Sequence, residues 1–273
     1  MLLASAGATA QPLAWVSPRQ TALAGLVAPR PDAAAPLLNP AALGRLQLAE
    51  AGVAVGQLFG VAGLPVLSAG VATPLGGRHR AGAGVARLGA GNLAQTFAAA
   101  AYAYHQDNTC LAVQAGLYQL ALGDAPAAAV PTISLFGQTD LIPKLSLAGA
   151  VLNLGQPRLR AETGQRLPAA LRAAAAYQAG PDLVLMAQAE RTLNRPATLS
   201  AGAEYQVHRY LRLRAGASPW PGLLACGFRL DVWGTSVEYG LAYHGTLGQT
   251  HSLGLGWTRR TPRRTRIEAD HAP

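Results

Sequence analysis

The sequence predicts an all-β chain, a transmembrane antiparallel β-barrel of about 14 strands with a short N-terminal plug segment. Three observations predict it. Apolar residues alternate with polar or small ones at period two through the C-terminal third, as in strands with two unlike faces. Only 13% of the 273 residues are charged and 50% are hydrophobic, against a usual charged fraction of about 25%. Dividing residues 46–260 by fourteen leaves about fifteen residues each, room for a spanning strand of about 9–11 residues and its connection.

The late strands carry most of this. Leu199, Ala201, Ala203, Tyr205 and Val207 fall on one face, with Thr198, Ser200, Gly202, Glu204 and Gln206 on the other. Leu211, Leu213, Ala215 and Ala217 then oppose Arg212, Arg214, Gly216 and Ser218. Leu224, Cys226, Phe228 and Leu230 oppose Ala225, Gly227, Arg229 and Asp231. Val237, Tyr239, Leu241 and Tyr243 oppose Ser236, Glu238, Gly240, Ala242 and His244, and Leu253, Leu255 and Trp257 oppose Ser252, Gly254, Gly256 and Thr258. Further strands are expected near 46–59, 64–73, 79–88, 93–106, 109–122, 144–154, 167–178 and 182–193, with a weak one near 130–138. A soluble sandwich or lipocalin-like barrel alternates as cleanly, but it turns its charged face to water and needs far more charge.

The main rival is a membrane-spanning helix over Ala51–Gly77, which has no charged residue and is long enough to cross a bilayer. Pro65 would break it near its middle, so the stretch reads as two strands turning near Gly63-Leu64-Pro65.

Residues 1–11 end in Ala8-Thr9-Ala10, the small-x-small form of a signal-peptidase site, and read as a signal-peptide remnant. Residues 12–45 hold Pro12, Pro18, Pro29, Pro31, Pro36 and Pro40 and predict loops and short helices. Asn39 suits an N-cap and Pro40 a first helical position, so a short helix should start there. The barrel is expected over 46–260 and a basic, disordered tail over 261–273.

The formal charge of +9 suggests nucleic acid until it is located. Arg259, Arg260, Arg263, Arg264 and Arg266 share the C-terminal tail, and without them, Glu268 and Asp270 the rest carries +6. No interleaving of Arg with aromatics marks a base-stacking surface, so a solvated tail is expected and no nucleic-acid partner.

Glu190, Glu204, Arg212, Arg214, Arg229, Asp231 and Glu238 fall on the polar face of the late strands and should line the lumen. Mutual pairing is the expected role, since buried charges are normally paired, and a selectivity lining is the alternative. No catalytic set is found. His251 and Ser252 are adjacent in a strand and point to opposite faces. The six His show no HExxH pattern, so neither metal nor cofactor is expected. Cys110 and Cys226 lie about seven strands apart and act as small apolar residues rather than a disulfide. Tyr205, Phe228, Tyr239, Tyr243 and Trp257 share the outward face and suit interfacial aromatic girdles.

The order Arg19-Gln20-Thr21-Ala22-Leu23-Ala24-Gly25, Leu38-Asn39-Pro40-Ala41-Ala42-Leu43, Leu167-Pro168-Ala169-Ala170-Leu171-Arg172, Tyr239-Gly240-Leu241-Ala242-Tyr243 and Leu247-Gly248-Gln249-Thr250-His251-Ser252-Leu253 resembles the PorV/PorQ-type outer-membrane barrels, distant relatives of the long-chain fatty-acid transporter barrels. The resemblance covers most of residues 18–258. It implies a barrel in the outer membrane of a Bacteroidetes-type Gram-negative cell, with the Asn39-Pro40 segment plugging the lumen near the periplasmic mouth. The chain is short for the secretion components, which implies trimmed extracellular loops, and its arginine-rich tail is not a feature of the family.

The expected function is therefore a non-enzymatic outer-membrane protein, PorV/PorQ-like, a scaffold or accessory of the envelope in type IX secretion. Its expected partners are outer-membrane lipid and envelope proteins. The alternative is passive transport of a small hydrophobic molecule.

Overall fold

Strands form wherever the alternation runs. The computed structural model describes residues 17–27, 29–90, 93–123, 127–159, 166–220 and 222–259. The expected signal remnant and basic tail lie outside the described residues.

Fourteen strands follow one another. They are β1 (Glu50–Gln57), β2 (Pro65–Gly76), β3 (His79–Ala90), β4 (Leu93–Gln106), β5 (Thr109–Leu122), β6 (Ala128–Ile142) and β7 (Leu145–Leu152). The second half comprises β8 (Ala170–Gln178), β9 (Leu183–Thr192), β10 (Thr198–His208), β11 (Leu211–Trp220), β12 (Leu223–Val232), β13 (Thr235–His244) and β14 (Gly248–Thr258). Each pairs antiparallel with its sequence neighbour, and β1 closes on β14 through Glu50↔Thr258 to Gln57↔His251, making one closed barrel. Closure leaves no backbone edge unpaired.

The rival helix is excluded, because Ala51–Gly77 forms β1, β2 and the bend between them. The strand expected to be weak near 130–138 is the longest at 15 residues. Thr132, Ser134 and Gln138 sit on its buried face, so polar inward residues blurred the apolar contrast that the alternation was read from. β1 begins at Glu50 rather than 46, because Leu46 is buried in the interior with Leu43.

The burial of the wall is inverted relative to a soluble barrel. Leu111, Leu171 and Leu224 are 62, 62 and 66% exposed on its outer face, while the residues alternating with them point inward. At one end the connections are mostly two-residue turns, at 77–78, 107–108, 143–144, 209–210 and 233–234. Trp233 and Gly234 both hold positive φ, 51° and 84°, the twist that suits a two-residue hairpin. The longest connection, 153–169, is at the opposite end.

Residues 17–27 and 29–46 occupy the lumen. Helix α1 (Pro18–Ala22) packs on β11 to β14, and helix α2 (Ala35–Leu38) and the 3₁₀ turn Pro40–Arg45 pack on β2 to β6 across the barrel. Ser17 caps α1 by accepting from the Gln20 amide at 3.1 Å. At Asn39 the expectation is corrected. A helical turn does begin at Pro40, but it is 3₁₀ and the Asn39 side chain makes no capping hydrogen bond.

Candidate functional site

The segment is too short and proline-rich to satisfy its own backbone, so inward side chains of the wall do it. Gln114 Nε2 donates to the carbonyls of Pro36 (2.7 Å) and Leu37 (3.2 Å), and Gln138 Nε2 to Pro29 (3.1 Å). Arg172 donates to the Leu38 carbonyl at 3.1 Å, and the Val27 amide donates to Gln188 Oε1 at 2.9 Å. A buried carbonyl without such a partner would cost about 1–3 kcal/mol.

Close approach is possible because the wall has glycine beneath the segment. A Cβ at Gly216 would lie 2.5 Å from the Leu23 carbonyl carbon, and one at Gly70 would collide with the Ala33 carbonyl oxygen. Leu23, Leu26, Leu43 and Leu46, each 1% exposed or less, fill the remaining interior. Gly82 and Gly84 face the same way, against Pro36 and Leu37.

Charge completes the docking. Glu204 on β10 is 3% exposed and is held by three arginines: Arg214 Nε at 2.9 Å, Arg30 at 3.1 Å and Arg19 at 3.3 Å. Arg214 also donates to Glu238 at 2.5 Å, and Glu238 accepts from Arg229 at 2.7 Å. Arg229 Nε donates to Asp231 at 2.8 Å, and Arg212 stands 3.7 Å from Asp231. The ladder makes these meetings, for Glu204↔Arg214 and Arg229↔Glu238 are directly opposed pairs. Asp32, on the segment, lies 3.7 Å from Arg19. Burial raises the Asp32 carboxyl above its ordinary range, with Arg19 opposing that rise.

Six of the seven charged residues singled out in the sequence thus form one network over β10 to β13. Glu190 stands apart and accepts from Arg172 Nε at 2.8 Å. Arg172 could have been found by extending the alternation into residues 170–178, where it shares parity with the inward alanines. Arg19, Arg30 and Asp32 had no sequence signal as partners, because only the folded segment brings them to the wall.

The other candidates separate. His251 is on the outer face, where its Nδ1 is 2.8 Å from the Tyr239 hydroxyl, and Ser252 is buried on the inner face. Cys110 is buried and Cys226 exposed, and both are free. Among the described residues no group of three His, Cys, Asp or Glu could hold a metal ion. Tyr205, Tyr243 and Trp257 are 49, 49 and 45% exposed on the outer face, whereas Tyr239 is half-buried beside Phe228.

One stretch of wall is hollowed on both sides. A cavity of about 60 Å³ lies between the segment and the wall, among Arg19, Asp32, Glu50, Arg229 and Glu238. A largely apolar groove of about 410 Å³ runs over β14, β1, β2 and β3, lined on the outer face by Val53, Val55, Leu67, Val85, Leu253 and Leu255, with Arg87 among them. The two share Val53, Ala54, Ser68, Ala69, Gly254 and Leu255, so a single layer of mostly small residues separates them.

These features define a closed fourteen-stranded barrel whose interior holds the N-terminal segment. No family model and no curated protein matches the chain by sequence. Solved structures do resemble it. The CymD monoaromatic hydrocarbon channel superposes with a TM-score of 0.67 at 13% identity, over 90% of this chain and 97% of that one. The Ralstonia pickettii toluene transporter TbuX gives 0.66 at 13% identity, over 89% and 98%. A Pseudomonas aeruginosa FadL homologue gives 0.62 at 11%, over 89% and 98%. The shared property at such identities is the fold, and no sequence match supports the PorV/PorQ family specifically.

Proposed function

We propose that this chain is a non-enzymatic barrel of a Gram-negative outer membrane through which small hydrophobic molecules pass without an energy source. The observation that carries the reading is the apolar groove set directly across a thin wall from a luminal cavity. A ligand of low polarity that passes from the aqueous lumen through this thin wall reaches the bilayer at the groove, and gains roughly 25 cal/mol per Å² of apolar surface taken out of water. The solved barrels it resembles include a hydrocarbon channel and a toluene transporter by name, which supports the same reading. The charged residues Glu190, Glu204, Arg212, Arg214, Arg229, Asp231 and Glu238 then serve to hold the N-terminal segment, with Asn39 and Pro40 as part of the plug.

The test is toluene influx into proteoliposomes containing the full chain. Influx clearly faster than through vesicles holding an unrelated closed barrel supports the proposal, and equal rates reject it.

The scaffold reading, with its PorV/PorQ likeness, type IX secretion and Bacteroidetes-type cell, moves to second place. Its support is the Leu38–Leu43 motif and the order of motifs around it. It requires an envelope protein that crosslinks to this barrel and a secretion defect for carboxy-terminally tagged cargo on deletion.

A further inference from the structure

Charge on the outer face of the wall is confined to two arginines. Among the described strand residues that point outward, Arg87 on β3 and Arg191 on β9 alone carry a formal charge. Both are exposed and both lie near the same end of the barrel, the one bearing the long 153–169 connection. Arg87 stands between Leu67 and Thr96 on the adjacent strands and Arg191 beside Leu171, with Leu67 and Leu171 52 and 62% exposed on the outer face.

Three more arginines join them at that end. Arg195 follows β9 in the turn to β10, and Arg158 and Arg166 face each other across an isolated antiparallel bridge. Like charges directly opposed across a bridge repel. Among the described residues, none of the five has a carboxylate within salt-bridge distance. The single described acid of that end, Glu190, points inward to Arg172; Asp124 and Glu162 fall in connections outside the described residues. The opposite end is mixed, with Arg78, Lys144 and Arg209 interspersed with Asp107 and Asp182 in its turns.

We propose that the rim at this end binds the phosphomonoester groups of anionic lipid headgroups at two separate places, at Arg191 with Arg195, Arg158 and Arg166 in the neighbouring connections, and at Arg87 six strands away around the barrel. An arginine on a lipid-facing wall keeps its stem along the apolar surface and lifts its guanidinium to the headgroup level. A planar guanidinium donates two parallel hydrogen bonds to phosphate, and a phosphomonoester of about −1.5 to −2 charge attracts it more than the single phosphodiester of a zwitterionic headgroup, whose ammonium sits beside it. Short turns mark the periplasmic side of bacterial barrels, so the arginine end faces outward and meets the outer leaflet. This inference rests on the outer-membrane reading; Arg87 also lines the outer groove, but the lipid readout below does not depend on what the channel carries.

The experiment uses the full chain purified in zwitterionic detergent, with the folded state read as the temperature at which its gel mobility changes on heating. Diphosphorylated lipid A, phosphatidylcholine and inorganic phosphate are added separately. The expected result is a rise with lipid A alone, with the half-saturating lipid A concentration about tenfold higher in Arg87→Gln/Arg191→Gln. The Arg87→Lys/Arg191→Lys form should recover part of that loss, and raised salt should weaken binding. An equal rise with phosphatidylcholine, an equal rise with inorganic phosphate, or unchanged lipid A binding in the glutamine variant would each overturn the proposal. A chain that shows no mobility change and stays soluble without detergent instead overturns the membrane reading beneath it.

Discussion

The Arg19 guanidinium, from the first helix of the luminal segment, lies 3.3 Å from the Glu204 carboxylate on β10. Glu204 is also the partner of Arg214 within the wall, so one carboxylate joins the barrel wall to the segment inside it. Three cations around one acid compensate its desolvation, and the same arrangement makes the acid hard to remove.

Glu204→Gln should therefore loosen the segment without opening the barrel. Leaving Arg19, Arg30 and Arg214 short of their shared anion should cost about 3–5 kcal/mol. Proteolysis within residues 17–46 should become rapid while the mobility change on boiling persists. A variant as protease-resistant as the parent would show that Glu204 does not hold the segment.

Gly216→Val should displace Leu23, because the Cβ position is already filled by the Leu23 backbone. Its matched control is Gly149→Ala, where the nearest atom to an added Cβ is the Arg172 carbonyl oxygen at 3.8 Å. The control should melt within about 0.5 kcal/mol of the parent, and the valine variant should lose protection of residues 17–46. Equal behaviour of the two in thermal melts and limited proteolysis would remove the steric argument.

Asp32 supplies a pH dependence. Its carboxyl is raised above the ordinary value of 3.8, chiefly by burial and further by Glu238, against the attraction of Arg19, Arg214 and Arg229. A raised acid favours folding below its unfolded value and loses that contribution as pH rises through the folded one. Asp32→Asn cannot ionise, so its melting temperature should gain on the parent's as pH is raised from about 4 towards neutrality. A constant difference across that window would count against the burial of this carboxylate.

Ala69 lies in the floor shared by groove and cavity. Ala69→Phe should fill the groove and slow toluene influx several-fold while leaving the melting temperature nearly unchanged, since outer-face substitutions disturb little packing. Unaltered influx in a well-folded variant would move the path elsewhere.

Much of the barrel was legible in the sequence because strand alternation is local. Residue i and residue i+2 share a face whatever the rest of the chain does, so Leu224, Cys226, Phe228 and Leu230 could be assigned outward together. The fourteen strands followed from that rule and from segment length. β6 blurred because its inward residues Thr132, Ser134 and Gln138 are polar and buried.

The site was legible by half. Parity placed Glu204, Arg214, Arg229 and Glu238 on one face, and strand adjacency brought them near one another. What the sequence by itself determined is therefore the wall: its strands, its two faces and which of them carries the late acidic and basic residues. Only the tertiary structure decided what meets that wall, namely which glycines lie under Leu23 and Ala33, and that Arg19, Arg30 and Asp32 complete the network. The reason is physical. Alternation is fixed by the backbone of one strand, whereas docking of residues 17–27 and 29–46 depends on the closed shape of all fourteen.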